Sequence, residues 1–210
     1  EHMQYTGGRT FDAAREFAQS SPLAPVHATF AKYASTVSAN AMPVYELAKA
    51  LCHRIYEEFE YSPEATDVST PPQEALSLKK GVCQDFAQVM IAGLRSLGLS
   101  ARYVSGYLLT QPPPGKPRLI GADASHAWVS VYCPSAGWLD FDPTNDCLAG
   151  ESHVTLAYGR DYSDVPPLRG VIRGGGSHEL SVAVTVMPLE EIKPAATASP
   201  ATKSTQASQS

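Results

Sequence analysis

The stretch "LKKGVCQDFAQVMIAGLRSLGLSARYVSGY", residues 78–107, contains the change of period on which the fold turns. Its first half is helical. Phe86, Ala87, Met90, Leu94 and Leu97 fall on one face, and Gly98 stands where a C′ glycine closes a helix. Its second half is β-branched and aromatic, the composition of a strand. At the head of the helix Gly81 frees the backbone to turn, and Cys83 falls in the first helical turn. There the unpaired N–H groups and the positive end of the helix dipole favour a thiolate over a thiol. Lys79 and Lys80 add positive charge, whereas Asp85 opposes the effect. A cysteine placed this way is a candidate nucleophile. Its plainer reading is a small side chain packed with the rest of the helix.

Upstream, two more helical stretches precede the first strand. "SSPLAPVHATFAKYASTV" carries Phe30, Tyr33 and Val37 at helical spacing, with Pro25 near its start. "MPVYELAKALCHRIYEEFEY" repeats Val44, Leu47, Leu51, Ile55 and Phe59, with Pro43 in the first turn. Cys52 adjoins that stripe and reads as a small buried hydrophobe. Downstream, "SHAWVSVYCP", "GWLDFDPT", "HVTLAYGRDY" and "HELSVAVTVMP" have strand composition. Helices first and adjacent strands afterwards predict an α+β domain with a mostly antiparallel sheet. We place it at residues 22–192, after an N-terminal extension at 1–21 that is a candidate fragment boundary. Residues 193–210, all Ala, Ser, Thr, Pro, Gln and Lys, cannot bury enough apolar surface to order themselves and read as a disordered tail.

Composition removes several classes of function. With 210 residues, 43% of them hydrophobic, the chain supports one sizeable core. A net charge of −5 without a basic stripe argues against nucleic acid as a partner. No apolar run approaches the roughly 18 residues that span a bilayer, so no membrane partner is expected. The opening "EHMQYTGGRT" lacks the charged and apolar regions of a signal peptide. Cys52, Cys83, Cys133 and Cys147 form neither a CxxC pair nor a metal-ligand rhythm, and the six histidines include no HExxH. A reducing, cytoplasmic setting is expected, with no metal and no cofactor.

The hairpin from residue 125 to 144 supplies partners for the thiol. With an odd-numbered loop centred near Ser135, residues whose numbers share parity lie on one face. Ala127, Val129 and Val131 then join Leu139 and Phe141 as a core face. His126, Trp128, Ser130 and Tyr132 join Trp138, Asp140 and Asp142 on the other, with His126 and Asp142 at the open end. Such a face is either a site wall or an ordinary solvent face. Cysteine, histidine and aspartate are the set used in thiol acyl transfer: the thiolate attacks a carbonyl, the imidazole moves protons, and the carboxylate holds the ring.

Four segments carry a family resemblance: "GVCQDFAQVMIAGLRSLGLSARYVSGY", "SHAWVSVY", "GWLDFDPTND" and "HVTLAYGRDYSDVPPLRGV", with "FEYSPEATDVSTPPQEAL" ahead of them. Together they resemble the bacterial transglutaminase-like proteins of the papain-like cysteine-enzyme superfamily, from about Pro22 to Pro188. The resemblance implies a papain-like core with the nucleophile helix packed on the sheet. It implies Cys83 as nucleophile, His126 as base and Asp142, in Asp-Pro-Thr, as acid, with Asp140 the competitor for the last role. The backbone N–H of Cys83 is a candidate oxyanion donor, and Tyr61 and Gln84 are candidate supporting groups; Tyr61 also reads as a packing residue. Trp128 is expected to pack over the histidine and exclude water, and Trp138 to be a core or rim aromatic. His153 reads as a surface residue, and "GRDY" as a turn with a salt bridge. Gln88, where many relatives have histidine, is expected to alter the helix surface.

These expectations define a thiol-dependent acyl transfer on amides, with hydrolysis as the competing outcome. The expected partner is a protein or peptide bearing an amide, with the glutamine side chain as the candidate. The alternatives are a cysteine protease or amidase only, a catalytically silent peptide-binding module, and a docking scaffold. Relatives often carry an N-terminal β-rich domain, so a fragment of a longer protein is also expected. The prolines of "LTQPPPGKPRLIGADAS", just before His126, make that segment a candidate rim of the cleft. Gly174–Gly176 lack the strand and helix of a phosphate loop.

Overall fold

The helical period upstream of residue 60 becomes two helices. α1 (Ala28–Ser35) buries Phe30 and Tyr33 and begins at His27, whose ring nitrogen accepts the Thr29 N–H at 3.2 Å. α2 (Val44–Glu58) buries Val44, Leu47, Leu51 and Ile55, with Cys52 among them, and Phe59 continues the stripe just past its end. The protein is described by a computed structural model covering residues 13–38, 42–110, 123–166, 170 and 182–189. The rim segment 111–122, Gly174–Gly176 and the tail lie outside the described residues.

A third helix, α3 (Pro72–Leu78), is a feature the sequence reading lacked; one and a half to two turns are too short to display a period. It is flanked by β1 (Glu60–Tyr61) and β2 (Lys80–Gly81), a two-strand parallel pair that sets Tyr61 opposite Gly81. α4 (Cys83–Ser96) follows. Every residue from Asp85 to Arg95 is buried, so this helix is enclosed on all sides, with the other helices and the sheet around it.

The sheet contains β3 (Ala101–Leu108), β4 (Ser125–Cys133), β5 (Gly137–Asp142), β6 (Cys147–Leu148) and β7 (His153–Gly159), in the order β6-β5-β4-β3-β7 and antiparallel throughout. Val129 pairs with Phe141 and Val131 with Leu139, the register that the parity argument requires. Ala127, Val129, Val131 and Phe141 join the helices in the core. This is the α+β architecture expected. Of "HELSVAVTVMP", residues 178–181 lie outside the described residues; the described part, 182–188, departs from expectation in forming no strand, although Asp123 N–H donates to the Val184 carbonyl at 3.0 Å.

Residues just ahead of 22, read as an extension, dock on the body. The Phe17 ring meets Trp138 edge-on at 5.5 Å, and Ser21 pairs with Ala24. Arg95 ties this segment down from inside. Arg95 is 1% exposed, and its guanidinium donates to the carbonyls of Phe17, Ala101 and Arg160 and to the Ser21 hydroxyl. "GRDY" is structural as expected: Arg160 pairs with Asp164 at 2.9 Å, and Asp161 accepts the Leu23 N–H. Among the described residues no helix is long and apolar enough to cross a membrane.

Candidate active site

Two local devices start the helix at Cys83. Gly81 has φ +154°, and a Cβ there would collide with the Asp85 carboxylate. Asp85 is turned back toward the helix start, accepting from the Val82 N–H at 2.8 Å and the Thr66 hydroxyl at 2.7 Å. Burial pushes its carboxyl above the ordinary carboxylate range, against the pull of those bonds. The acid that sequence set against a thiolate is therefore a fastener of the turn, engaged by two donors. Cys83 is half-buried at the helix N-terminus, where backbone N–H groups have no intrahelical partner.

The strands bring the imidazole to it. His126 stands near the start of β4, opposite Gly106 of β3. Its Nε2 lies 2.8 Å from Asp142 Oδ2, and the Cys83 sulfur acts electrostatically on the same ring. Burial alone would lower the His126 pKa. The Asp142 carboxylate and the Cys83 sulfur outweigh burial and raise it to about 9. Asp142 is fully buried; burial pushes its carboxyl up, but bonds from His126, Asn145 and His153 bring it down to about 2.

Asp142 is held at both oxygens. Pro143 has no N–H, so the next donors along the chain are Thr144 and Asn145, whose N–H groups turn back to Oδ1 at 2.9 and 3.3 Å in an Asx turn. Oδ2 accepts the Asn145 side-chain amide at 2.7 Å and His153 Nε2 at 3.1 Å as well as His126. Asp140, the competitor, accepts the Trp128 indole N–H at 3.1 Å. Trp128 is fully buried, with its ring 6.0 Å from that of His126. Gly106 makes room for it, since a Cβ there would lie 2.6 Å from the indole and strike the Val154 carbonyl. Trp138 lies towards the turn end of the β4–β5 hairpin, away from His126, with the Arg102 guanidinium 4.1 Å from its ring centre.

Three placements differ from the sequence reading or extend it. His153 is not a surface residue: its side chain is 7% exposed, and its ring meets Trp128 edge-on at 5.2 Å. Asn145 was missed, although the Asp-Pro-Thr-Asn run contains the Asx-turn signal that places it. Gln88 is fully buried rather than on the helix surface, and among the described residues its amide finds no hydrogen-bond partner. The supporting candidates lie near the thiol with different engagements. Tyr61, paired opposite Gly81, packs edge-on against Phe86, and burial followed by the Cys83 sulfur raises its phenol pKa. The Gln84 amide reaches the Val68 carbonyl at 3.4 Å.

An α+β core that presents a thiol from a helix start to a strand imidazole and a buried carboxylate has the architecture of the papain-like cysteine-enzyme class. The chain belongs to the transglutaminase-like superfamily, whose family model matches residues 31–143. An uncharacterised Mycobacterium tuberculosis protein is 47% identical over 164 residues, 76% of this chain and 52% of its own length. The protein-glutamine gamma-glutamyltransferase of Pseudomonas aeruginosa is 34% identical over 109 residues, 50% of this chain and 16% of its own. Among solved structures, a candidate cysteine protease from Cytophaga hutchinsonii matches with TM-score 0.61 and 27% identity, over 72% of this chain and 48% of that one. The periplasmic domain of TgpA from Pseudomonas aeruginosa gives 0.50 and 27%, over 64% and 48%. The chain spans about half the length of the mycobacterial relative.

Proposed function

We propose that this chain carries out thiol-dependent acyl transfer on amides, with Cys83 as nucleophile, His126 as base and acid, and Asp142 as the group that holds and charges the ring. The observation that carries the reading is the His126 imidazole held 2.8 Å from the buried Asp142 carboxylate, its pKa raised by that carboxylate and then by the Cys83 sulfur. The Cys83 sulfur attacks the amide carbonyl, forming a C–S bond and an oxyanion for which the Cys83 N–H and the Tyr61 hydroxyl are the candidate donors. Collapse breaks the C–N bond, His126 gives its proton to the departing nitrogen, and a thioester remains. A primary amine or a water molecule then loses a proton to His126, attacks the thioester and regenerates the thiol.

The Pseudomonas aeruginosa relative's name supports the glutamine side chain as acyl donor and an amine as acceptor. The Cytophaga hutchinsonii neighbour supports hydrolysis as the second outcome. We assign protein or peptide substrates on the same grounds. Four free thiols support a reducing, cytoplasmic setting, although TgpA presents a matching fold in a periplasmic domain. The test is incubation of a glutamine-containing peptide with and without a primary amine. Amine conjugate with little glutamate supports transfer, glutamate alone supports hydrolysis, and Cys83→Ala abolishes both. A product that persists in Cys83→Ala, or none from a panel of such peptides while the other three thiols react as fast as Cys83, refutes the enzymatic reading.

A further inference from the structure

We propose that His153 is a positioning residue for this site: a donor of fixed tautomer that locks the Asp142 carboxylate in line with His126. The inference rests on the Cys83–His126–Asp142 assignment above and adds a fourth side chain to it.

The tautomer follows from the two ring contacts. Gly150 N–H can only donate, and it lies 3.2 Å from His153 Nδ1, so that nitrogen presents its lone pair. The proton of the neutral ring then sits on Nε2, which faces Asp142 Oδ2 at 3.1 Å. Gly150 also accepts the His153 backbone N–H at 2.9 Å, so a single turn fixes both the main chain and the ring. Trp128 packs edge-on against that ring, with the ring centres 5.2 Å apart. The arrangement is that of a second imidazole oriented by its outer nitrogen, a device that fixes ligands and carboxylates in many active sites.

A metal site is the rival reading, because His126, Asp142 and His153 bring one ligand atom each within 4.8 Å of one another. A divalent ion on His153 Nε2 needs the lone pair there and the proton on Nδ1, where it would confront the Gly150 N–H. The donor set therefore favours a proton over a metal between His153 and Asp142. A base role is disfavoured by the same contacts, since both ring nitrogens are occupied. What remains is orientation. Oδ2 is shared among three donors, and with His153 gone its flank adjoins a depression of about 340 Å³ that Asn145 and Gly150 also line. Water there competes with His126 for the carboxylate.

Two substitutions separate donation from packing. His153→Phe keeps a ring against Trp128 and loses the donor; His153→Gln loses the ring and keeps an N–H at the Nε2 position. The probe is iodoacetamide, with alkylation of Cys83 followed by peptide mapping, read beside the downfield imidazole N–H proton resonance of His126. His153→Phe is expected to slow Cys83 alkylation at pH 7 by roughly tenfold or more and to shift that resonance, while His153→Gln stays within about threefold of the parent. A parent-like rate and resonance in His153→Phe overturns the proposal, as does a loss in His153→Gln as large as that in His153→Phe. His126→Ala separates the layers. If it leaves alkylation unchanged, the underlying assignment has failed; if it slows alkylation while His153→Phe does not, only the positioning role has.

Discussion

Asp142→Asn is the substitution for which the structure sets the tightest expectation, because it changes one atom and leaves the shape. All five hydrogen bonds recorded at this fully buried carboxylate are accepted ones. An amide nitrogen at Oδ2 would face His126, His153 and the Asn145 amide; at Oδ1 it would face the N–H groups of Thr144 and Asn145. Either orientation sets donor against donor, at about 1–3 kcal/mol for each group left unsatisfied. The charge is lost as well. Its hydrogen bond and field, with the sulfur, overcome burial to lift His126 from 6.5 to about 9, an interval of about 3 kcal/mol. Assigning most of that to Asp142 predicts Cys83 alkylation slower by roughly 30- to 150-fold at pH 7, as the imidazolium beside the sulfur is lost. Mapping the alkylated peptides isolates the signal: Cys52 and Cys133 are buried, and the exposed Cys147 has a thiol pushed up by partial burial and then by Asp142 and Asp146. The folded Asp142 pKa of about 2 lies below the ordinary 3.8, so its contribution is present above pH 4 and is lost as pH falls through about 2. The stability gap between parent and variant should therefore narrow in that window. Alkylation at the parent rate, with His126 titrating near 9 in the variant, would refute the assignment of Asp142.

Two further predictions concern the frame around the site. Gly106→Ala forces a methyl into the Trp128 indole and the Val154 carbonyl, so urea denaturation should show a loss of at least about 2 kcal/mol. A loss below measurement error there would mean that the sheet yields more easily than the packing implies. Arg95→Met leaves the Phe17, Ala101 and Arg160 carbonyls without their donor inside the protein, and a loss of more than about 3 kcal/mol is expected by the same measurement. Burial lowers the Arg95 pKa to about 10, still charged at neutral pH, so a change within 1 kcal/mol would contradict the role given to these bonds.

Sequence reasoning succeeded where a short-range rule governs the chain. The stripe from Val44 to Phe59 specified α2 because a helix facing one core repeats every three to four residues. Parity specified the β4–β5 register because neighbouring residues in a strand point to opposite faces. His126, Trp128 and Asp140 could be assigned to one face for the same reason. The place of Cys83 at a helix start was legible from Gly81 and the helix that follows. His153 was not, because nothing near it in the chain says where β7 goes. β6 pairs at one edge of the sheet and β7 at the other, and only the alignment of Leu108 with His153, two residues beyond Gly106 and its partner His126, brings the second imidazole to the site.

The choice between Asp140 and Asp142 shows where face logic stops and backbone chemistry begins. Both lie on the same strand and the same face, and only the family motif separated them in the sequence. Within the fold they differ in what the chain does next. Asp140 sits inside the β4–β5 ladder, opposite Ser130, with the Trp128 indole as its side-chain donor. Asp142 ends β5 just before a proline, so the chain leaves the strand and the N–H groups of Thr144 and Asn145 swing back onto its Oδ1. That turn fixes one oxygen with backbone and frees the other for His126 and His153. A carboxylate fixed in this way can align an imidazole, whereas one bound to an indole inside a ladder aligns the indole. The Asp-Pro-Thr-Asn run therefore acts as a physical device as well as a family mark, and transplanting it without β7 would give a carboxylate that lacks its second imidazole.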